Sequence, residues 1–539
     1  SGYLPLIFSD DDMAAMLHVR AAFDPSGLCN PGKIIPLPRG CGEGRAVATV
    51  EGPASSTSQQ RARASLPELI RQPPERQSLA PMESGVAVAG SSALSRDRSA
   101  QKQTHLAIRV NEARIAREFS LIVGLQNARR LSDTTDANRP LEVAPRSVKD
   151  LSEVMRLASR EHLSVIPSGA ATWIAAGNVL AGSDLIVTTR RLTRVINHEP
   201  ADLVATAEAG ITLREFQKTL AQAGQWLPID PPDDGRVTLG GVVATGLGGA
   251  HGFGLPRSFV IGMRLVLADG RAIKAGGNVV KNVAGYDLCK LFTGSYGTLG
   301  LITELTFKLR PLPAESRTVI ASGSLASLIT AGRKVAGQLS PVTLELISRR
   351  LAKDLKIATG RDFALMVRFM GSPRSVVTQT AQALKILREG NNKCETFVED
   401  DPLWQQLSSV PLQSDDDLIW RVVLRPTDLI TFLSEVSALE DDEVSHVGLR
   451  WHGGLGDGRL RAIARAPVYH REAVQVLERL REKVQTLGGK LIVENATTEI
   501  KNEFDAWGGF GSAAGLMKRV KAQLDPQNML SPGRFGAGI

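Results

Sequence analysis

The chain has 539 residues, 43% of them hydrophobic and 22% charged, with a formal net charge of +8. That balance suits two or three domains with buried cores and excludes wholesale disorder, collagen and coiled coil. No apolar run reaches the roughly 18–20 residues that span a bilayer. The four cysteines (Cys29, Cys41, Cys289, Cys394) lack the spacing of a disulfide scaffold, a zinc site or an iron–sulfur cluster, so a reducing, cytoplasmic setting is expected.

An internal repeat opens the chain. Residues 16–34 and 517–535 share Met16/Met517, Val19/Val520, Ala21/Ala522, Asp24/Asp525, Pro25/Pro526, Pro31/Pro532 and Gly32/Gly533 at one constant offset, with Arg20/Lys521 and Lys33/Arg534 keeping charge. Each copy reads as an amphipathic helix stopped by Asp-Pro, then a turn and a Pro-Gly exit. Residues 1–40 therefore read as the C-terminal tail of a related upstream unit, and deleting 1–130 is expected to leave stability nearly unchanged. Residues 39–130 carry 14 Arg/Lys against 8 Asp/Glu, which locates most of the net charge. Rich in Pro, Ser, Gln and Ala, residues 41–135 read as a basic, largely disordered linker. No aromatic residue stands between Arg45 and Lys102, which argues against a stacking nucleic-acid surface.

Past the linker the texture alternates. Residues 147–160 have helical spacing, 163–167 and 185–189 read as short strands, and 203–208 alternates ahead of an amphipathic helix over 212–223. Strand-like runs at 263–267 and 301–309 flank a glycine-rich centre. Residues 317–500 continue as helix and strand, with helices near 378–388 and 470–486, before the repeated tail.

Glycine carries the chemical signal. Residues 238–254 read TLGGVVATGLGGAHGFG, and 276–304 read GGNVVKNVAGYDLCKLFTGSYGTLGLITE. Such glycines let backbone approach a ligand closely, and successive N–H groups can nest a diphosphate. Gly246-Leu247-Gly248-Gly249 misses the GxGxxG dinucleotide spacing, and no GxxxxGK[ST] occurs, so Rossmann and P-loop readings fail. Turns and bulges before a buried strand remain an alternative for Gly294, Gly297 and Gly300.

In order, Pro145-Arg146-Ser147, residues 166–172 (IPSGAAT), 207–212 (AEAGIT), Pro231-Pro232, 238–241 (TLGG), 245–249 (TGLGG), 281–287 (KNVAGYD) and 294–300 (GSYGTLG) resemble the FAD-binding domain of the vanillyl-alcohol oxidase / p-cresol methylhydroxylase flavoprotein family. Within that family the text is most similar to glycolate oxidase flavin subunits, the body to the E type and residues 1–40 to the tail of the catalytic D type. The resemblance implies an α+β fold: a two-subdomain PCMH-type FAD-binding domain over 136–315, an α+β cap domain over 316–500, and a tail over 501–539 returning to the FAD domain. FAD would be held by Pro167, Ser168, Gly169, Ala170, Ala171 and Thr172 at the pyrophosphate, and by Pro232, Thr238, Gly240, Gly241, Thr245, Gly248, Gly249 and His251 along the phosphates and flavin ring. Gly294, Gly297, Gly300 and Ile302 would hold the ribityl and adenine side. The implied partners are a D-type catalytic flavin subunit, an F-type iron–sulfur subunit and a small 2-hydroxy acid, with any membrane association made through partner subunits.

Two departures from the family text matter. The diphosphate loop, usually PRGGGT, is Pro167-Ser168-Gly169-Ala170-Ala171-Thr172 here, so a basic residue is lost and alanine meets positions where positive φ costs it about 1 kcal/mol or more. The metal motifs of catalytic relatives, HAGDGNLH and GEHG, are replaced by residues 454–461 (GLGDGRLR) and Val493-Glu494-Asn495, leaving Glu494 alone of the ligand set. His452 reads as a shifted ligand or a packed histidine. Arg450 and Arg461 read as carboxylate binders or as structural ion pairs, and His251 as a residue tuning or attaching the flavin or as a polar loop residue. Trp451 and Trp507 read as core anchors, and Tyr286-Asp287 as a capped turn or an acid–base pair. The expected role is therefore an FAD-binding subunit serving electron transfer or assembly, with no catalytic residue assigned. A self-sufficient FAD-dependent oxidoreductase and a flavin-free scaffold are the alternatives.

Overall fold

The computed structural model describes residues 9–24, 113–130, 140–277, 286–358, 362–398, 400–414, 417–441, 448–465 and 470–539. Residues 41–112 and 131–135 of the linker reading, 25–34 of the first repeat copy and 281–285 of the KNVAGYD text lie outside them.

The first sheet shows why residues 147–160 are helical. Ser147 accepts the Asp150 N–H (3.1 Å), meeting an open donor of the first turn of helix Val148–Arg160. Leu151, Val154, Met155 and Ala158 then share one face and bury against a sheet ordered Ala128–Arg130, Leu141–Val143, Leu185–Thr188, Val165–Ser168. Leu185–Thr188 pairs parallel with both of its neighbours, which suits a strand that is buried along its whole length. This sheet corrects the linker boundary. Residues 113–123 form a helix whose Phe119 is fully buried in the same core, and Ala128–Arg130 pairs with Leu141–Val143. Arginine-rich composition hides that single anchoring face.

A five-stranded antiparallel sheet follows, ordered Val195–Glu199, Val204–Glu208, Leu301–Lys308, Val260–Val266, Ala272–Gly276. Helix Leu213–Ala221 packs on it from a Thr212/Glu215 capping box, seating Phe216 and Leu220 in its core. The third sheet has eight antiparallel strands, ordered Lys393–Phe397, Glu315–Gly323, Phe363–Gly371, Thr343–Ile347, Arg450–Gly454, Arg459–Ala464, Leu418–Val423, Lys490–Asn495. Helices Leu325–Gln338, Pro373–Glu389, Pro426–Ala438 and His470–Thr486 bury their apolar stripes in one core on this sheet. The architecture is α+β.

The end of the chain returns to the first sheet. The Val165 N–H donates to Met529 O (2.7 Å) and the Ser531 N–H to Val165 O (2.8 Å). Lys521 Nζ, buried, donates to Thr298 O (2.8 Å), Asp525 Oδ2 (2.7 Å) and Leu530 O (2.8 Å), locking the tail to the loop before Leu301. The described part of the first copy packs on the body, contrary to the expectation that deleting 1–130 leaves stability nearly unchanged. Helix Asp10–Phe23 buries Ala15, Met16, Val19 and Ala22 in the core that holds Val520 and Leu524, beside helix Ala513–Leu524. The repeat was legible, but the apolar seat it occupies is created only by folding.

Candidate functional site

Three loops and the tail converge on one cleft, open to solvent and spanning about 840 Å³ with its mouth included. Strand Val165–Ser168 runs out into Gly169–Thr172, where the Thr188 hydroxyl donates to Gly169 O (3.2 Å) and the Ile174 N–H to Ala171 O (3.1 Å). Helix Leu239–Thr245 forms one wall. Its Gly240 N–H donates to Ala209 O (2.7 Å), and Thr238 caps it by accepting the Gly241 N–H (3.2 Å). The Ser295–Gly300 turn forms another, tied by the Tyr296 N–H to Ala244 O (2.8 Å). Close approach explains the small residues. A Cβ on Gly169 would run into Thr238 Oγ1, and one on Gly297 would lie 3.0 Å from Pro167 Cγ in a backbone already at φ +73°.

Of the residues singled out in the sequence, Pro167, Ser168, Gly169, Ala170, Ala171, Thr172, Thr238, Gly240, Gly241, Thr245, Gly297, Gly300 and Ile302 line this cleft. Pro232, Gly248, Gly249, His251 and Gly294 do not. Gly294 donates its N–H to Val243 O (3.0 Å) behind the wall, and Gly248 O accepts from Arg461 (3.2 Å). His251 is packed edge-on against Trp404 (4.6 Å) and takes Arg368 Nη1 at Nδ1 (3.2 Å); burial holds it well below the ordinary histidine range, hence neutral. The His251 backbone N–H donates to Asp230 Oδ2 (2.5 Å), whose carboxyl burial pushes up to about 6. Of the two loop alanines only Ala171 has positive φ (+60°).

The cleft also holds groups that the sequence reading passed over. Trp173, Tyr296 and Arg534 line it. Among the described residues, Arg534, 4% exposed, has no partner at Nε or Nη2, and the Trp173 indole N–H also lacks one. Burial lowers the Arg534 pKa to about 10, so the guanidinium remains charged at neutral pH. The Trp507 indole donates to the Arg534 carbonyl (2.8 Å), and the Trp507 ring meets Tyr296 edge-on at 4.7 Å, fixing the tail that delivers Arg534. Burial pushes the Tyr296 phenol up to about 12, so it stays protonated. The signal for Arg534 was the charge kept between Lys33 and Arg534 in the repeat. Its burial was not readable. A buried cation without a partner, an unmet indole donor and a glycine cradle fit an anionic, acceptor-rich ligand such as FAD.

The altered metal text forms a different kind of centre. Arg461 donates to both Glu494 oxygens (2.7 and 3.0 Å), and Arg421 Nε lies 2.9 Å from Glu494 Oε1. His452 Nδ1 meets Glu345 Oε1 at 2.6 Å; burial raises Glu345 well above the carboxylate range and holds His452 well below its own. Asn495 Nδ2 donates to Asp417 O (3.0 Å), and Arg450 pairs with Asp417 (3.2 Å). Both arginines thus stand in structural pairs and His452 is a packed histidine. Trp451 is fully buried, with its indole on Glu440 (2.8 Å), and Asp287 caps helix Leu288–Phe292 through the Lys290 N–H (3.1 Å). Among the described residues no helix is long and apolar enough to cross a membrane.

Comparison with known proteins assigns the class. Residues 140–276 match the FAD binding domain, and residues 1–34 together with 312–535 match the C-terminal domain of FAD linked oxidases. The chain is an FAD-dependent oxidoreductase with a PCMH-type FAD-binding fold, and FAD is its cofactor. Among its relatives, it is 26% identical to glycolate oxidase subunit GlcD of Bacillus subtilis (76% of this chain, 93% of that protein) and 29% identical to glycolate oxidase subunit GlcE of Escherichia coli (72% and 97%). It is 25% identical to a D-2-hydroxyglutarate dehydrogenase of Xanthomonas citri pv. viticola (74% and 89%). Of solved structures, p-cresol methylhydroxylase superposes with a TM-score of 0.64 at 16% identity, covering 79% of this chain and 96% of that one. Alkyldihydroxyacetonephosphate synthase gives 0.57 at 16%, covering 74% and 78%.

Proposed function

We propose that this chain is the FAD-bearing, E-type subunit of a glycolate oxidase-like complex that oxidises a small 2-hydroxy acid to the 2-oxo acid, and that it serves electron transfer or assembly beside a D-type flavin subunit and an F-type iron–sulfur subunit. When bound, FAD supplies a two-electron acceptor for such an oxidation. The chain's own residues hold it: Gly169–Thr172, Thr238–Gly241 and Gly297–Gly300 supply close backbone, while Arg534 and Trp173 supply the unmet donors.

The observation behind the non-catalytic role is the Arg461–Glu494 pair. Both oxygens of Glu494 are bound by Arg461, with Arg421 alongside, so no free carboxylate remains there to ligate an ion or take a proton. An absorption spectrum of the FAD-loaded full chain, followed by anaerobic addition of glycolate, D-lactate or D-2-hydroxyglutarate, tests this. Flavin bands that persist support the proposal. Rapid bleaching by any of the three overturns the non-catalytic role.

A further inference from the structure

The two copies of the repeated segment lie against each other, and their contacts are reciprocal. His18 Nδ1 meets Gln523 O (2.9 Å), and Arg519 Nε donates to Ala22 O (2.8 Å). At the repeat offset His18 corresponds to Arg519 and Ala22 to Gln523. Each helix therefore offers the same side-chain position to the same carbonyl position of the other, in antiparallel register. That relation is the signature of an isologous, two-fold contact and has no reason to arise in a helix that merely caps a surface.

Differences between the copies identify what the first helix lacks. Leu524 is 3% exposed because its body covers it, whereas Phe23 at the equivalent position is 55% exposed. Lys521 is the anchor that locks the second copy to its own body, and Arg20 keeps that charge. Helix Asp10–Phe23 has instead spent its other face on this body. Ala15, Met16 and Val19 are buried, and Asp12 accepts the Lys274 N–H of the outer strand Ala272–Gly276. Of the positions that the second copy buries, Val520, Lys521 and Leu524, the equivalent Val19 is seated here, while Phe23 is exposed. Both end segments match the same C-terminal domain of FAD linked oxidases, which indicates the class of body that the Phe23 face would meet.

We infer that helix Ala513–Leu524 and strand Ala272–Gly276 form a docking surface for the C-terminal helix of a second FAD linked oxidase unit, with residues 10–23 occupying it as that unit's tail, and that the Phe23 face is where the second body attaches. Two flavoprotein units would then meet about a two-fold axis through their tail helices. The inference rests on the repeat and its contacts, not on the chemistry of the cleft, so either can fail without the other.

The test uses the full chain with a site-specific protease sequence inserted after Arg63. After cleavage and size-exclusion chromatography, the fragment carrying helix 10–23 is expected to stay with the body. A synthetic peptide of residues 512–526 should displace it at concentrations within about tenfold of those needed by a peptide of residues 9–24, since a two-fold seat accepts either copy. Ala15→Arg should weaken retention at least about tenfold by overpacking the seated face, while Phe23→Glu should leave it unchanged. Release of the fragment on cleavage, displacement by 9–24 alone, or loss of retention in Phe23→Glu would each overturn the inference.

Discussion

The glycine-rich cleft and the Arg461–Glu494 cluster on the eight-stranded sheet each bury a guanidinium, with opposite consequences. Arg461 is surrounded by acceptors supplied by the chain, two from Glu494 and one from Gly248. Arg534 lines the cleft, and its buried Nε and Nη2 have no partner among the described residues. A paired buried charge belongs to the architecture, and removing one partner strands the other. An unpaired one is a standing cost that only a ligand offsets. The same residue type thus marks structure in one place and a binding site in the other.

The largest effect that sharpens this contrast is Arg461→Met. It leaves Glu494 buried with Arg421 as its cation, and should cost about 3–5 kcal/mol in urea denaturation. A loss under about 1 kcal/mol would mean that Arg421 takes over the role.

Asp230 comes next. Its folded-state carboxyl is raised to about 6, first by burial, against an ordinary value of 3.8. A raised acid is favoured in its protonated form, so its contribution is fullest below about pH 4 and is lost as pH rises through about 6, some 3 kcal/mol in all. Asp230→Asn keeps an acceptor for the His251 N–H and should remove that loss. Denaturation midpoints of the variant between pH 4 and 7 should fall less steeply than those of the wild type. Parallel slopes would contradict the assignment.

The smallest is Ala171→Gly. At φ +60° alanine carries a left-handed strain of about 1 kcal/mol that glycine lacks, so the apo protein should gain up to about that much stability. No gain would show that the loop relaxes away from this conformation.

Much of the cleft was readable because glycines report backbone needs locally. The loops at 169, 238–241 and 297–300 must be small wherever the chain folds this way. Helix Leu239–Thr245 was not readable, since Gly240 and Gly241 oppose helix. Packing overrides them: a Cβ on Gly240 would lie 2.9 Å from Ala209 Cβ. His251 misled for the converse reason, because a polar residue in glycine-rich text was drawn by Trp404 and Arg368 into a core. The burial of Arg534 and the seat of helix 10–23 were invisible, as both depend on surfaces more than 200 residues away in sequence. The cap-sheet text was legible as lost ligands, but not as the Arg461–Glu494 pair that replaces them.

The most direct test is a thermal unfolding scan of the Arg534→Met chain against the wild type, each with and without saturating FAD. Without FAD the variant should melt at or above the wild-type temperature, because an unpaired buried charge has been removed. FAD should raise its melting temperature much less, matching a loss of about 10- to 100-fold in affinity for one charge-assisted interaction. A variant that melts well below wild type without FAD, yet gains as much from FAD as wild type does, would show that Arg534 is structural and contradict the account.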